Sequence, residues 1–82
     1  MYCVYILKSL KTNKLYIGHS DNVVRRLEEH NTNRGGEYTR RNGPWKLVYN
    51  ESYQDRASAM RRERYLKSTR GSYEKKKLAG IL

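Results

Sequence analysis

Apolar residues along the chain come first as two short strings and only later as helical stripes. Cys3-Val4-Tyr5-Ile6-Leu7 and Leu15-Tyr16-Ile17-Gly18 mix β-branched, aromatic and aliphatic residues, which suit a pleated surface. Leu10-Lys11-Thr12-Asn13-Lys14 lies between them and can turn, so residues 2–9 and 14–19 are expected to form a hairpin. If its loop holds an even number of residues, the numbers of paired residues add to an odd sum. Tyr5 and Tyr16 then share one face of the ladder.

The pattern afterwards changes period. Val23, Val24 and Leu27 make the stripe of a first helix that Ser20 or Asp21 can cap. Asn31-Thr32-Asn33-Arg34-Gly35-Gly36 is strong punctuation and stops it. Tyr38-Thr39-Arg40-Arg41-Asn42-Gly43-Pro44 reads as a basic loop with one aromatic. Trp45-Lys46-Leu47-Val48-Tyr49 alternates and predicts a third strand reaching toward Tyr53. Asp55 can cap a second helix through about Ser68, with Ala59, Met60 and Leu66 on its apolar side. Thr69-Arg70-Gly71 stops that helix, and Ser72 can cap a short basic one through Leu78. The order β-β-α-β-α-α predicts an α+β fold with an antiparallel sheet. No repeat, low-complexity linker or second domain breaks the pattern, so 1–82 is expected to be one domain with its last few residues disordered.

Charge narrows the partners. The 82 residues carry 18 Lys and Arg against 8 Asp and Glu, a formal net charge of +10. So large an excess on one small domain favours a polyanion, with nucleic acid the commonest. Ten of the cations are arginine, the better phosphate fork. Ribosomal or membrane-surface association would show the same bulk charge. Cys3 is the only cysteine, which rules out an intrachain disulfide and a thiolate zinc site and suggests a reducing compartment. No apolar run approaches a membrane span and the start does not read as a signal peptide, so a cytoplasmic protein without membrane association is expected.

Chemistry-bearing residues sit in or beside the apolar stripes. At about 100° per residue, Glu63 falls between Ala59 and Leu66 on the second helix. A carboxylate there is either a hard oxygen ligand for Mg²⁺ or half of a salt bridge to Arg56, Lys67 or Arg26. Arg26 and His30 are i, i+4 neighbours on one edge of the first helix. They can point together at a phosphoryl group beyond the sheet, as charge stabiliser and proton partner, or simply line a solvated helix edge. Tyr5 and Tyr16 taken singly are ordinary half-buried strand residues. A phenol with pKa about 10 is ionised to about one part in a thousand at pH 7, so as a base it would need a cation beside it. Together, two phenols, a guanidinium, an imidazole and a carboxylate on one sheet face would suit phosphodiester cleavage.

Cys3-Val4-Tyr5 followed after ten residues by Tyr16-Ile17-Gly18, with Arg26, His30 and Glu63 beyond, resembles the GIY-YIG endonuclease superfamily. Tyr38-Thr39-Arg40, Pro44-Trp45-Lys46-Leu47-Val48-Tyr49 and Arg61-Arg62-Glu63 are similar to its small stand-alone bacterial group, UPF0213. The likeness spans residues 2 to about 78. It implies a three-stranded antiparallel sheet flanked by helices. It also implies Tyr5 and Tyr16 at the two tyrosine positions, Arg26 as the catalytic arginine and His30 at a position often His or Tyr. Glu63 would be the sole protein ligand of one divalent metal, Mg²⁺ or Mn²⁺, and His19 would stand where several members place a polar residue. Two departures weigh against activity: Cys3 replaces a glycine, and no asparagine follows Glu63.

The leading expectation is a metal-dependent nuclease acting on DNA with little sequence specificity. Its nucleic-acid contacts would be His19, Tyr38, Arg40, Arg41, Arg61, Arg62 and Lys67. A repair partner protein or a weak dimer would help with specificity. The alternatives are a non-catalytic nucleic-acid-binding module of the same fold and a small basic interaction protein serving a repair complex.

Overall fold

The computed structural model describes residues 1–32 and 36–81, apart from the side chain of Tyr38. Asn33, Arg34 and Gly35 of the expected helix stop, Leu82 and the Tyr38 contact therefore lie outside the described residues. Strand β1 (Tyr2–Ser9) and strand β2 (Leu15–Ser20) form the expected hairpin. Helices α1 (Val23–Asn31) and α2 (Glu37–Asn42) follow, then strand β3 (Trp45–Tyr53), helix α3 (Arg56–Lys67) and helix α4 (Ser72–Leu78). The sheet is antiparallel in the order β2-β1-β3. No helix among the described residues is long and apolar enough to cross a membrane.

Each face of β1 builds a different half of the core. Val4, Ile6 and Ile17 pack with Ala59 and Leu66 of α3, while Tyr5, Leu7 and Trp45 pack with Tyr16, Val23 and Leu27 on the α1 side. This division needs an irregularity in β3. Ile6 pairs with Tyr49 but Leu7 pairs with Leu47, so Val48 is an extra residue. A bulge of this kind reverses which face the following side chains take. Tyr49, Glu51 and Tyr53 therefore share the α3 side, and Leu47 and Trp45 turn to the α1 side. The plain alternation read in the sequence gives no sign of the switch.

Local chemistry fixes the ends of the elements. Ser9 ties the hairpin turn, since its Oγ accepts from the amides of Lys11 (3.1 Å) and Thr12 (2.9 Å). Asn22, not Ser20 or Asp21, caps α1 by accepting from the Arg25 amide at 3.0 Å. Ser20 instead shapes the approach, bonding both the amide and the carbonyl of Asn22. Asp55 caps α3 as expected, at 2.7 Å from the Ser58 amide. For α4 the cap moves back one residue to Gly71. A side chain there would meet the Tyr65 carbonyl at 2.0 Å, so only glycine allows α3 and α4 to join this closely. The expected basic loop carries the extra short helix α2, held by Trp45 Nε1, which donates to the Thr39 carbonyl at 2.7 Å. Asn31 completes the joint by bonding both backbone polar groups of Trp45.

Candidate active site

Cys3↔Ser20 through Lys8↔Leu15 all sum to 23, an odd register, so Tyr5 and Tyr16 stand on the same face. Their ring centroids are 6.4 Å apart. Gly18 pairs with Tyr5 across the ladder, and the Tyr5 phenol lies directly over it. A methyl group at Gly18 would sit 2.6 Å from Tyr5 Oη. The glycine of the second triplet is thus the floor on which the first tyrosine rests.

Helix α1 brings Arg26 and His30 over these rings. His30 is only 1% exposed, so it is a core residue and not part of a solvated edge. Its Nε2 lies 3.3 Å from Tyr5 Oη, and its ring meets Tyr16 edge-on at 4.9 Å. Its Nδ1 is buried with no partner among the described residues. Burial, with Arg26 nearby, holds His30 below its ordinary pKa, which keeps it neutral at pH 7. Burial pushes the Tyr5 phenol up, while the guanidinium of Arg26 beside it pulls down. Arg26 is held in turn by Glu29, at 2.7 Å.

Glu63 arrives from the other side. Helix α3 packs on the Val4, Ile6 and Ile17 face, so the five groups do not share one sheet face as the sequence suggested. The sequence shows which stripe of a helix is apolar but not which side of the sheet receives it. Because β2 is an edge strand, a side chain can reach around it. Glu63 accepts from His19 Nδ1 at 2.6 Å and from Lys67 Nζ at 3.0 Å. Lys67 in turn sits 6.0 Å over the Tyr16 ring, and the charge of Glu63 is felt at the Tyr5 phenol. The site is therefore wrapped around the β2 edge, with the phenols, Arg26 and His30 on one side and Glu63, His19 and Lys67 on the other.

A family model described as the GIY-YIG catalytic domain matches residues 1–77. The chain belongs to the GIY-YIG family. Its relatives place it in the UPF0213 group. UPF0213 protein CPE1444 of Clostridium perfringens is 45% identical over 67 residues, covering 82% of this chain and 71% of that protein. The solution NMR structure of UPF0213 protein BH0048 from Bacillus halodurans matches with a TM-score of 0.54 at 34% identity, covering 95% of this chain and 85% of that one. Structure-specific endonuclease subunit SLX1 of Kluyveromyces lactis is 55% identical over 53 residues, which is 57% of this chain but 18% of that protein.

A divalent metal beside these phenols would meet one carboxylate, Glu63. Among the described residues no group of three or more His, Cys, Asp or Glu could hold an ion. A lone, partly exposed Glu63 fits Mg²⁺, which takes one or two carboxylates and keeps several waters. The other nucleic-acid candidates scatter. Arg40 and Arg61 are exposed, and Arg41 is exposed but paired with Glu37 at 2.8 Å. Arg62 is committed to the fold, its Nε donating to Glu51 at 2.5 Å and its fork to Glu74 at 3.0 and 3.1 Å. Sequence reasoning passed over the partners that hold the site: Glu29 on Arg26, and Gly18 beneath Tyr5. The spacing of Arg26 and Glu29 on one helix was the available signal for the first.

Proposed function

We propose that this chain is a metal-dependent nuclease that hydrolyses phosphodiester bonds in DNA with little sequence specificity. The observation that carries the reading is the convergence around β2. Two helices on opposite faces of the sheet bring a guanidinium and a carboxylate to the same pair of phenols. The family match and the naming of the SLX1 relative as a structure-specific endonuclease subunit support the same reading.

In the proposed reaction Arg26 faces the non-bridging oxygens and stabilises charge that builds in the transition state. Attacking water passes a proton to Tyr5 Oη as the phenolic proton moves to neutral His30 Nε2, so no free phenolate accumulates. The oxygen of water bonds to phosphorus, the bond to the leaving sugar oxygen breaks, and that oxygen takes a proton from solvent. Bound to Glu63, Mg²⁺ or Mn²⁺ would supply Lewis-acid stabilisation of the phosphoryl group. His19 orients the carboxylate, and Lys67 balances its charge when no metal is present.

A second reading has its own observation. Both Glu63 oxygens already have cationic or N–H partners, as a binding module without catalysis would arrange. Cleavage of single-stranded, duplex and branched DNAs with Mg²⁺ or Mn²⁺ separates the two. Turnover that Glu63→Ala abolishes at unchanged thermal stability supports the nuclease. Binding without cleavage by the wild-type protein leaves the module. Association with a second protein subunit belongs to either reading, and co-purification tests it.

A further inference from the structure

A cleft of about 420 Å³ opens beside the active site where β2 ends, within the range of about 300–1,000 Å³ typical of small-molecule sites. Its walls come from both sides of the sheet. Helix α1 contributes Arg25, Arg26 and Glu29, the start of α3 contributes Arg56, and the end of β2 with Asp21 and Tyr2 supplies the rest. Arg26 and His19 belong to both the cleft and the active site. A strand running along β2 past the phenols therefore enters this cleft next.

The charges are unevenly matched. Arg25 pairs with Asp21 at 2.9 Å, and Arg26 with Glu29 at 2.7 Å. Arg56 has no carboxylate within ion-pair distance among the described residues. It stands as the uncompensated cation of the cleft and is exposed. That is a place for one phosphate. The carboxylates argue against a plain backbone groove, since beside phosphates alone they would only repel. A carboxylate has about four acceptor positions, so Asp21 and Glu29 can accept from their arginines and still take a base amino or sugar hydroxyl hydrogen. A base can offer those hydrogens freely only when its pairing edge is open. The half-buried Tyr2 ring adds an aromatic surface of the kind unpaired bases favour.

We infer that this cleft holds one unpaired nucleotide flanking the scissile phosphodiester, with Arg56 on its phosphate and the carboxylates of Asp21 and Glu29 toward its base and sugar. The inference rests on the nuclease reading and adds a substrate class to it: strands with a single-stranded segment at the cut.

Arg56 lies on the surface, outside the catalytic groups, so Arg56→Gln should fold normally. Fluorescence anisotropy in EDTA, with a labelled single-stranded hexanucleotide and a labelled duplex of mixed sequence, provides the test. Arg64→Gln, an exposed change on the same helix away from the cleft, serves as the control. Arg56→Gln is expected to weaken single-strand binding three- to tenfold and to reduce its salt slope by about 0.7. Its effect on duplex binding should stay under twofold, and Arg64→Gln should not change the single-strand to duplex ratio. Equal losses on both substrates, or no loss while the wild type still binds and cuts, would overturn the subsite and leave the nuclease standing. Failure of the wild type to bind any oligonucleotide would overturn both.

Discussion

Gly18 carries more of the site than its size suggests. Gly18→Ala places a methyl group 2.6 Å from Tyr5 Oη and 2.8 Å from its Cζ. The buried phenol cannot retreat, because His30 lies behind it. Overpacking of this kind costs about 1–3 kcal/mol, and the displaced phenol should lose its contact with His30. The expected outcome is a lower melting temperature together with a larger fall in turnover than in oligonucleotide affinity. Arg26→Ala separates chemistry from binding more sharply. If it faces charge that appears only in the transition state, turnover should fall by about 10²–10³-fold while affinity changes little. Equal losses would make Arg26 one phosphate contact among several. Lys67 offers a smaller effect. An exposed i,i+4 pair is worth about 0.3–0.5 kcal/mol, so Lys67→Met should tighten Mn²⁺ binding only about twofold. Titration calorimetry would show it, and weaker binding in the variant would contradict the role given to Lys67.

Among the elements, α3 and α4 depend on a network remote from the phenols. Glu51 on β3 accepts from Tyr49 (2.6 Å), Tyr53 (2.8 Å) and Arg62 (2.5 Å), and Arg62 continues to Glu74 on α4. The bond to Glu51 pushes the Tyr49 phenol up to about 12. For Glu51 itself burial acts upward, but the hydrogen bonds from Tyr49, Arg62 and Tyr53 outweigh it and hold the carboxyl below its ordinary value. A lowered folded-state pKa means stability that is complete above the ordinary carboxylate pKa and is lost as pH falls through the folded value. Wild-type melting temperature should therefore drop below about pH 4.5, and Glu51→Gln should flatten that drop. Arg62 is about 22% exposed, so Arg62→Met should cost about 2–3 kcal/mol, less than the 3–5 of a fully buried broken pair. Turnover per folded molecule should be unchanged.

The elements also show what a sequence can reveal. The hairpin and the two longer helices were legible because apolar periodicity encodes them locally, although Val24 and Met60 of the expected stripes are 73% and 41% exposed and the cap of α1 falls at Asn22. That Tyr5 and Tyr16 share a face followed once the loop was even and the pair sums odd. Helix α2 was not legible, since six residues between glycines carry no stripe and are held by Trp45 from the next strand. The bulge at Val48 left no trace in a segment that reads as plain alternation. Burial of His30 and the arrival of Glu63 from the opposite face depend on how whole elements dock, which local pattern does not state.

For the molecule as a whole, the net charge of +10 overstates what is free to meet a polyanion. Arg25, Arg26, Arg41, Arg62 and Lys67 are all in ion pairs among the described residues. Four to six phosphate contacts remain a reasonable number for what is left, giving a slope of log K against log salt of roughly −3 to −5. A salt titration with labelled oligonucleotides would measure it, and a flat response would remove nucleic acid as the partner. Substitutions of the uncharged members of the Glu51 network, Tyr49 and Tyr53, should leave that slope in place, because Arg62 stays paired with Glu51 and Glu74.

Val4, Tyr5, Ile6 and Leu7 are at most 1% exposed, on both faces of the central strand. Helix α1 touches only one half of the core and α3 and α4 only the other, whereas the strands serve both, and β1 is the strand buried on both faces over four consecutive residues. Helices α1 and α4 can therefore drift separately in evolution, while β1 answers to both halves. An engineer seeking a hardier protein has α4 to rebuild, and the four buried residues of β1 are the stretch to leave untouched.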